Sequence, residues 1–351
     1  MASQTPGDSG YHGPTKRGIV AQTSSNAKPR PVPHDFEVVA ASHAALRGGD
    51  PVALRMSDGV IICGEWFRGN EAPRAVVLLS HAMMVDRRTL DRPAGQGLLS
   101  ALLAAGLWVL WIDQRGHGQS QPGPSLGARW DYDTLLFDVA ALAAYLQQVA
   151  PDVPRVAVGH SLFGHLALAW QARSVDVAGA ARFDGLVLLA ANVWLRRHEP
   201  WRFRWLAKKL SYLALLWAAR PLGYLPALRL GIGSDDEPYA YLAQMGSWVF
   251  SGDWADRHGH SFLAQLPRVK EPILSVAGAG DRLMAIPGCQ LRFVSETSGP
   301  ITHWQVGRRF GDPIDPDHMD IVRSPRLRPL FDDIAAWICT PGRFDKKGGA
   351  L

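Results

Sequence analysis

VAVGHSLFGHLALAW, residues 156–170, decides how this chain is read. Its first half is a continuous apolar run of the kind that forms a strand buried on both faces of a parallel sheet. Its second half repeats apolar residues at three- and four-residue spacing, which is a helical pattern. Gly159, His160 and Ser161 stand between the two. A serine on so sharp a strand-to-helix turn needs unusual backbone angles, and these favour small neighbours. The turn lifts the hydroxyl above the sheet, and the start of the next helix points N–H groups at any oxyanion forming there. Ser161 is therefore the candidate nucleophile; the alternative is a serine that only caps the helix. One residue departs from the pattern. The second small position, two residues after the serine, holds Phe163, and the glycine arrives one place late as Gly164. Phe163 is expected to crowd the helix–strand contact and to border the substrate pocket.

Working outward, strand-like and helix-like runs alternate. VALRMSDG and VIICGEWFRG read as a leading hairpin around Asp58-Gly59. AVVLLSH (75–81) and LWVLWID (107–113) precede the key segment as buried strands, and GLVLLAAN (185–192), PILSVAGAGD (272–281) and ITHWQVGR (301–308) follow it. Helical patterns cover about 94–105, 131–149 and 327–338. This alternation predicts an α/β fold with a mostly parallel central sheet flanked by helices. One section breaks it: residues 193–262 are helical in pattern and carry Trp194, Trp201, Trp205, Trp217, Trp248 and Trp254. Inserted after the C-terminal end of a strand, where open sheets place their ligands, this section reads as a helical cap over the site. The expected organisation is a disordered tail over 1–36, core over 37–192, cap over 193–262, core over 263–340 and a second tail over 341–351. The first tail is rich in Gly, Pro, Ser and Thr and cannot bury much apolar surface.

The bulk composition excludes several classes. The apolar fraction is 47% and the formal charge only +5, so no nucleic-acid partner is implied. Cys63, Cys289 and Cys339 are scattered and odd in number, and read as small buried residues in a reducing compartment. No zinc-like spacing or phosphate loop is present, so no metal is expected. The opening residues lack a charged start followed by an apolar run, and no stretch reaches the ~18 apolar residues of a membrane span. A cytoplasmic protein is the expectation.

Residues 50–340 resemble the α/β-hydrolase superfamily, with landmarks in register. His81-Ala82 is similar to its His-Gly oxyanion loop, DQRGHGQS (113–120) to its D-x-R-G-x-G-x-S loop, and Gly159-His160-Ser161 to its nucleophile elbow. The pattern also resembles bacterial hydrolases grouped with serine aminopeptidases and monoglyceride lipases. The resemblance implies the chain order nucleophile, acid, histidine. Asp281, ending PILSVAGAGD, is then the acid, with Asp253 and Asp256 as rivals inside the cap. His318, in DPIDPDHMDIV after the last strand, is the base, with His303, His258 and His260 as alternatives. By analogy the oxyanion donors are the backbone N–H groups of Leu162 and Met83. Arg115, Gly116 and Gly118 are assigned to bracing the loop that carries them.

His81, Met84, Phe163, Trp194 and Trp248 are the expected pocket residues, with His81 also read as a loop brace. Arg87 and Arg88 suit a solvated loop first and a charged substrate second. The expected chemistry is hydrolysis of a small carboxylic ester, with a hydrophobic acyl or aromatic part, through an acyl-enzyme and without any cofactor. An acyltransferase with the same residues and a non-catalytic binding protein are the alternatives. Residues 194–229 hold eight Lys and Arg against Glu199, interleaved with aromatic and aliphatic residues. That reads as a solvated basic face or as weak membrane contact by the cap. The sequence carries no signal for an oligomeric state.

Overall fold

The computed structural model describes residues 1–2 and 35–341. The two expected tails lie almost wholly outside the described residues, although Phe36, at the border of the first, opens a strand. Strands β1 (Phe36–Val39), β2 (Asp50–Met56) and β3 (Ile61–Phe67) form an antiparallel edge. The β2–β3 hairpin turns where expected, with Gly59 at φ +86°, a left-handed angle that glycine adopts without steric cost.

Alternation then begins. Strand β4 (Val76–Ser80) is followed by helix α1 (Leu98–Ala104), β5 (Trp108–Ile112), α2 (Tyr132–Val149), β6 (Arg155–His160), α3 (Leu162–Arg173) and β7 (Gly185–Leu189). The chain next leaves the sheet for α4 (Arg202–Ala219), β8 (Tyr224–Leu225), α5 (Ala227–Leu230), β9 (Glu237–Pro238) and α6 (Tyr239–Ser251). It returns through β10 (Ile273–Gly278), α7 (Pro287–Val294), β11 (Ile301–Val306), α8 (Asp320–Arg323) and α9 (Arg328–Cys339). The section read as purely helical therefore contains one short antiparallel ladder, β8–β9. Two residues per strand carry no periodic signal for a sequence pattern to register.

Among the described residues the main sheet has nine strands in the order β1-β2-β3-β5-β4-β6-β7-β10-β11. The run from β5 to β11 is parallel throughout. The period-two rule divides the core between its faces. Leu78, Leu110, Ala157 and Leu188 pack with α2 and α3, while Val77, Trp111, Val158 and Val187 pack with α1 and α9. Each large apolar side chain taken fully out of water contributes ~1.5–3 kcal/mol, which is why the apolar runs are central. Helix α2 starts where Asp131 accepts the Thr134 N–H at 2.9 Å, and Asp133 in its first turn complements the helix dipole. No helix among the described residues is long and apolar enough to cross a membrane.

The turn from β6 into α3 resolves the difficulty over Phe163. The close crossing is made by Gly159 and Gly164: a Cβ on Gly159 would overlap the Gly164 nitrogen, and one on Gly164 would stand 2.6 Å from the Ala191 Cβ. Phe163 is 1% exposed and faces the core, beside Ile112, Leu135, Val139 and Leu166. The expected crowding therefore does not occur. The helix meets the strand through the residue three places after the serine, so the large side chain falls on the side facing α2. Gly164→Ala is expected to destabilise the fold by about 1–3 kcal/mol through this overlap, read as a lowered urea midpoint. A wild-type midpoint would place the crossing elsewhere.

Candidate active site

The C-terminal edge of the parallel strands gathers the expected residues. Ser161 follows β6, Asp281 closes the turn after β10, and His318 lies between β11 and α8. Ser161 has φ +50° and ψ −108°, an arrangement that costs a non-glycine residue of order 1–3 kcal/mol and needs its surroundings to hold it. Its N–H donates to the Leu189 carbonyl at 2.8 Å. Its hydroxyl makes no capping bond to α3, against the capping alternative. Instead it meets His318 Nε2 at 3.0 Å, and His318 Nδ1 meets Asp281 Oδ2 at 2.8 Å.

The carboxylate fixes the state of this chain. Asp281 is 4% exposed. Burial works to raise its pKa, but the hydrogen bond and charge of His318 and the N–H groups of Ala285 and Leu283 outweigh burial and hold it below the ordinary range. An ionised acceptor at Nδ1 requires an N–H there, so in the neutral ring Nε2 is the acceptor facing the serine hydroxyl. His160 supports this from below: its Nε2–H donates to the His318 carbonyl at 2.8 Å, and burial followed by the neighbouring His318 lowers its pKa to about 3. The rivals stand apart from this chain. Asp256 pairs with Arg173 and His260, Asp253 accepts from Ser261, and His303 meets Ser275 within the sheet.

A cavity, partly open to solvent, begins at Ser161 and His318 and runs beneath the inserted segment. Leu162, Met83, Met84, Trp194 and Trp248 border it. Tyr212 and Leu215 of α4 and Met245 and Val249 of α6 complete a mostly apolar wall. Phe163 and His81 do not reach it. His81 is fully buried and braces the loop: Nε2 accepts the Gln114 N–H at 2.9 Å, and Nδ1 pairs with the Ala82 carbonyl at 2.7 Å. Burial, followed by the cation at His117, lowers its pKa to about 3.

Arg87 also departs from expectation. Its guanidinium is fully buried and pairs with Asp113, with Glu65 at 3.1 Å and with Gln119 at 2.6 Å, so it braces the loop and is neither solvated nor free for substrate. Arg88 is exposed and pairs with Asp86. Arg115 bridges Asp138 and Asp58, the structural part expected of it.

Three features escaped the sequence reading. Asn192, after β7, lines the cavity with a buried Oδ1 that has no hydrogen-bond partner among the described residues. Glu237 and His117 form a buried pair at 3.0 Å. The third is strain. Among the described residues, the non-glycine positions with positive φ are Met84 at 61°, Ser161 at 50° and Ala190 at 46°, and all three border this one cavity. Backbone strain concentrates where a site is held against local preference.

Comparison with known proteins bears on the family and the fold. The family described as serine aminopeptidase, S33, matches residues 71–298. A monoacylglycerol lipase of Mycolicibacterium smegmatis is 31% identical over 294 residues, covering 80% of this chain and 93% of the lipase. Among solved structures, one reported for the metagenome-derived lipolytic enzymes LipS and LipT aligns with a TM-score of 0.53 at 16% identity, over 78% of this chain and 96% of that one. The monoacylglycerol lipase of Paleococcus ferrophilus aligns at 0.50 and 15% identity, over 79% and 98%. With its sheet order, its strained serine elbow and a family match over most of its length, this chain has the α/β-hydrolase fold and belongs to the serine aminopeptidase S33 family.

Proposed function

We propose that the protein hydrolyses carboxylic esters of lipid-like acyl groups through an acyl-enzyme on Ser161. The observation that carries this is the Asp281–His318–Ser161 chain opening into an apolar cavity; the 31% identical relative, a monoacylglycerol lipase, supports it. His318 Nε2 takes the hydroxyl proton as Oγ attacks the ester carbonyl. Asp281 keeps Nδ1–H in place and stabilises the imidazolium. The N–H groups of Leu162 and Met83 receive the oxyanion, each donor worth roughly 3 kcal/mol. Collapse expels the alcohol with the proton from His318. Water then enters, gives its proton to the same nitrogen, attacks the acyl carbon and releases the acid and free Ser161.

Chain length and the covalent step are tested together with p-nitrophenyl esters from acetate to palmitate. The cavity predicts a kcat/KM that rises from acetate to a medium or long acyl chain. With methanol present, a common acyl-enzyme predicts the same ratio of methyl ester to free acid whichever alcohol departs. Asp281→Asn is expected to lower kcat by about 10³–10⁴-fold through loss of the correct tautomer. A preference for acetate, or a ratio that follows the leaving group, would remove the lipid-like acyl-enzyme reading.

We further propose that the insertion is a cap whose outer face rests on anionic membrane, delivering substrate to the cavity beneath. Phe203, Leu206, Leu210, Leu213 and Trp217 recur at three- and four-residue spacing along the exposed side of α4, and Phe203 is 88% and Trp217 82% exposed. Arg202, Arg220 and Arg229 lie exposed beside them. Such a face gains free energy both from burying its apolar stripe at a lipid surface and from anionic headgroups. Phosphatidylglycerol-containing vesicles are expected to sediment the wild type and to lose it on Phe203→Asp/Trp217→Asp, and phosphatidylcholine alone is expected to bind more weakly. Equal recovery of both proteins in the supernatant would exclude the contact.

A further inference from the structure

The loop carrying Met83 is held by the inserted segment as well as by the core. Met84 sits at φ +61° with no glycine to make that angle cheap. Both of its backbone polar groups are taken by one stretch of the insertion, Gly233 to Glu237. Its N–H donates to Glu237 Oε1 at 2.7 Å, and its carbonyl accepts from the N–H groups of Ser234 at 2.8 Å and Asp235 at 3.2 Å. The fit is close enough that a Cβ on Gly233 would overlap the Met84 carbonyl oxygen and lie 2.7 Å from the Met84 Cβ. The same stretch reaches the neighbouring loop, where Asp235 Oδ1 accepts the Gly118 N–H at 2.8 Å.

Glu237 is itself pinned. It is fully buried, and the oxygen that receives Met84 also receives His117 Nε2 at 3.0 Å. His117 Nδ1 meets the Arg115 carbonyl at 2.8 Å. One ring nitrogen faces a carbonyl and the other a carboxylate, so both carry hydrogen and the ring is an imidazolium. Burial works against that charge, but Glu237, by charge and hydrogen bond, together with Asp235, raises the His117 pKa to about 9.

We infer that Glu237 is a positioning residue for the reaction: the Gly233–Glu237 strap holds Met84 in its strained conformation and thereby sets the direction of the adjacent Met83 N–H toward the oxyanion. This deepens the reading proposed above and rests on it. The donor belongs to the preceding peptide, between Ala82 and Met83. If Met84 relaxed to negative φ, the peptide between Met83 and Met84 would turn, and through the Met83 Cα the preceding plane and its N–H would shift out of line. Donors act on the oxyanion of the transition state rather than on the resting ester, so their misplacement lowers kcat and leaves KM nearly unchanged. On its β9 side the insertion therefore positions the site.

The test uses the full chain with a fluorophosphonate and with p-nitrophenyl octanoate. Wild type must first show labelling that Ser161→Ala abolishes; its absence would sink the nucleophile reading, and this inference with it, before any variant is compared. Glu237→Ala is then expected to slow labelling and to lower kcat by about 10–100-fold, with KM within about 3-fold by the same reasoning. Glu237→Gln keeps an acceptor for the Met84 N–H and is expected to recover most of the loss. If Glu237→Ala fails to fold, Gly233→Ala decides, because it pushes directly on Met84 while keeping every charge; a folded protein with a similar loss of kcat is expected. Folded variants with wild-type kcat, a change confined to KM, or a glutamine variant as slow as the alanine one would overturn the inference.

Discussion

The site depends on one backbone constraint, the crossing of β6 and α3 at Gly159 and Gly164. Only there can helix and strand approach closely enough to carry Ser161 at φ +50°. That angle frees the hydroxyl from capping α3 and points it along the C-terminal edge of the sheet. Sheet order supplies the rest. Strands β6, β7, β10 and β11 are consecutive neighbours, so the loops after β10 and β11 bring Asp281 and His318 to the serine although 157 residues of chain separate Ser161 from His318. The hydrophobic core fixes these strands in register, and the polar chain at their ends is oriented by it.

Around that centre, buried polar groups act as struts. His81 and Arg87 tie the loop after β4 to the loop after β5, His160 holds the backbone of His318, and Glu237 with His117 ties both to the insertion. These ties join the loops that carry the site to one another and to the insertion. The exposed apolar stripe of α4 lies on the outside of the same insertion whose inner residues line the cavity. One segment thus presents two faces, with lipid contact proposed for the outer one and substrate contact for the inner.

The parallel strands, the hairpin at Asp58-Gly59, the long helices and the three residues of the polar chain were all legible in the sequence. Continuous apolar runs and strand-end positions are local signals, and the chain order of the resembled family supplied the rest. What was not legible depended on direction or distance. Phe163 and Gly164 are adjacent, and which of them faces β6 is set by the rotation of α3 at its first turn. Arg87 reads as a loop arginine until Glu65, Asp113 and Gln119 are seen to surround it. Glu237 lies 153 residues from Met84, in a stretch too short and polar to show any period. Asn192 is the last residue of the run read as a strand (185–192), but the strand ends at Leu189, and only the fold shows that Asn192 borders the cavity.

The reading proposed for the site stands or falls with Ser161 as a nucleophile activated by His318. The most direct measurement is intact-protein and peptide mass spectrometry after treatment with a fluorophosphonate, which needs no knowledge of the natural ester. One adduct per chain is expected, located on Ser161, absent from Ser161→Ala and strongly slowed in His318→Ala. A folded wild type that takes up no adduct, or takes it up on another residue, would contradict it.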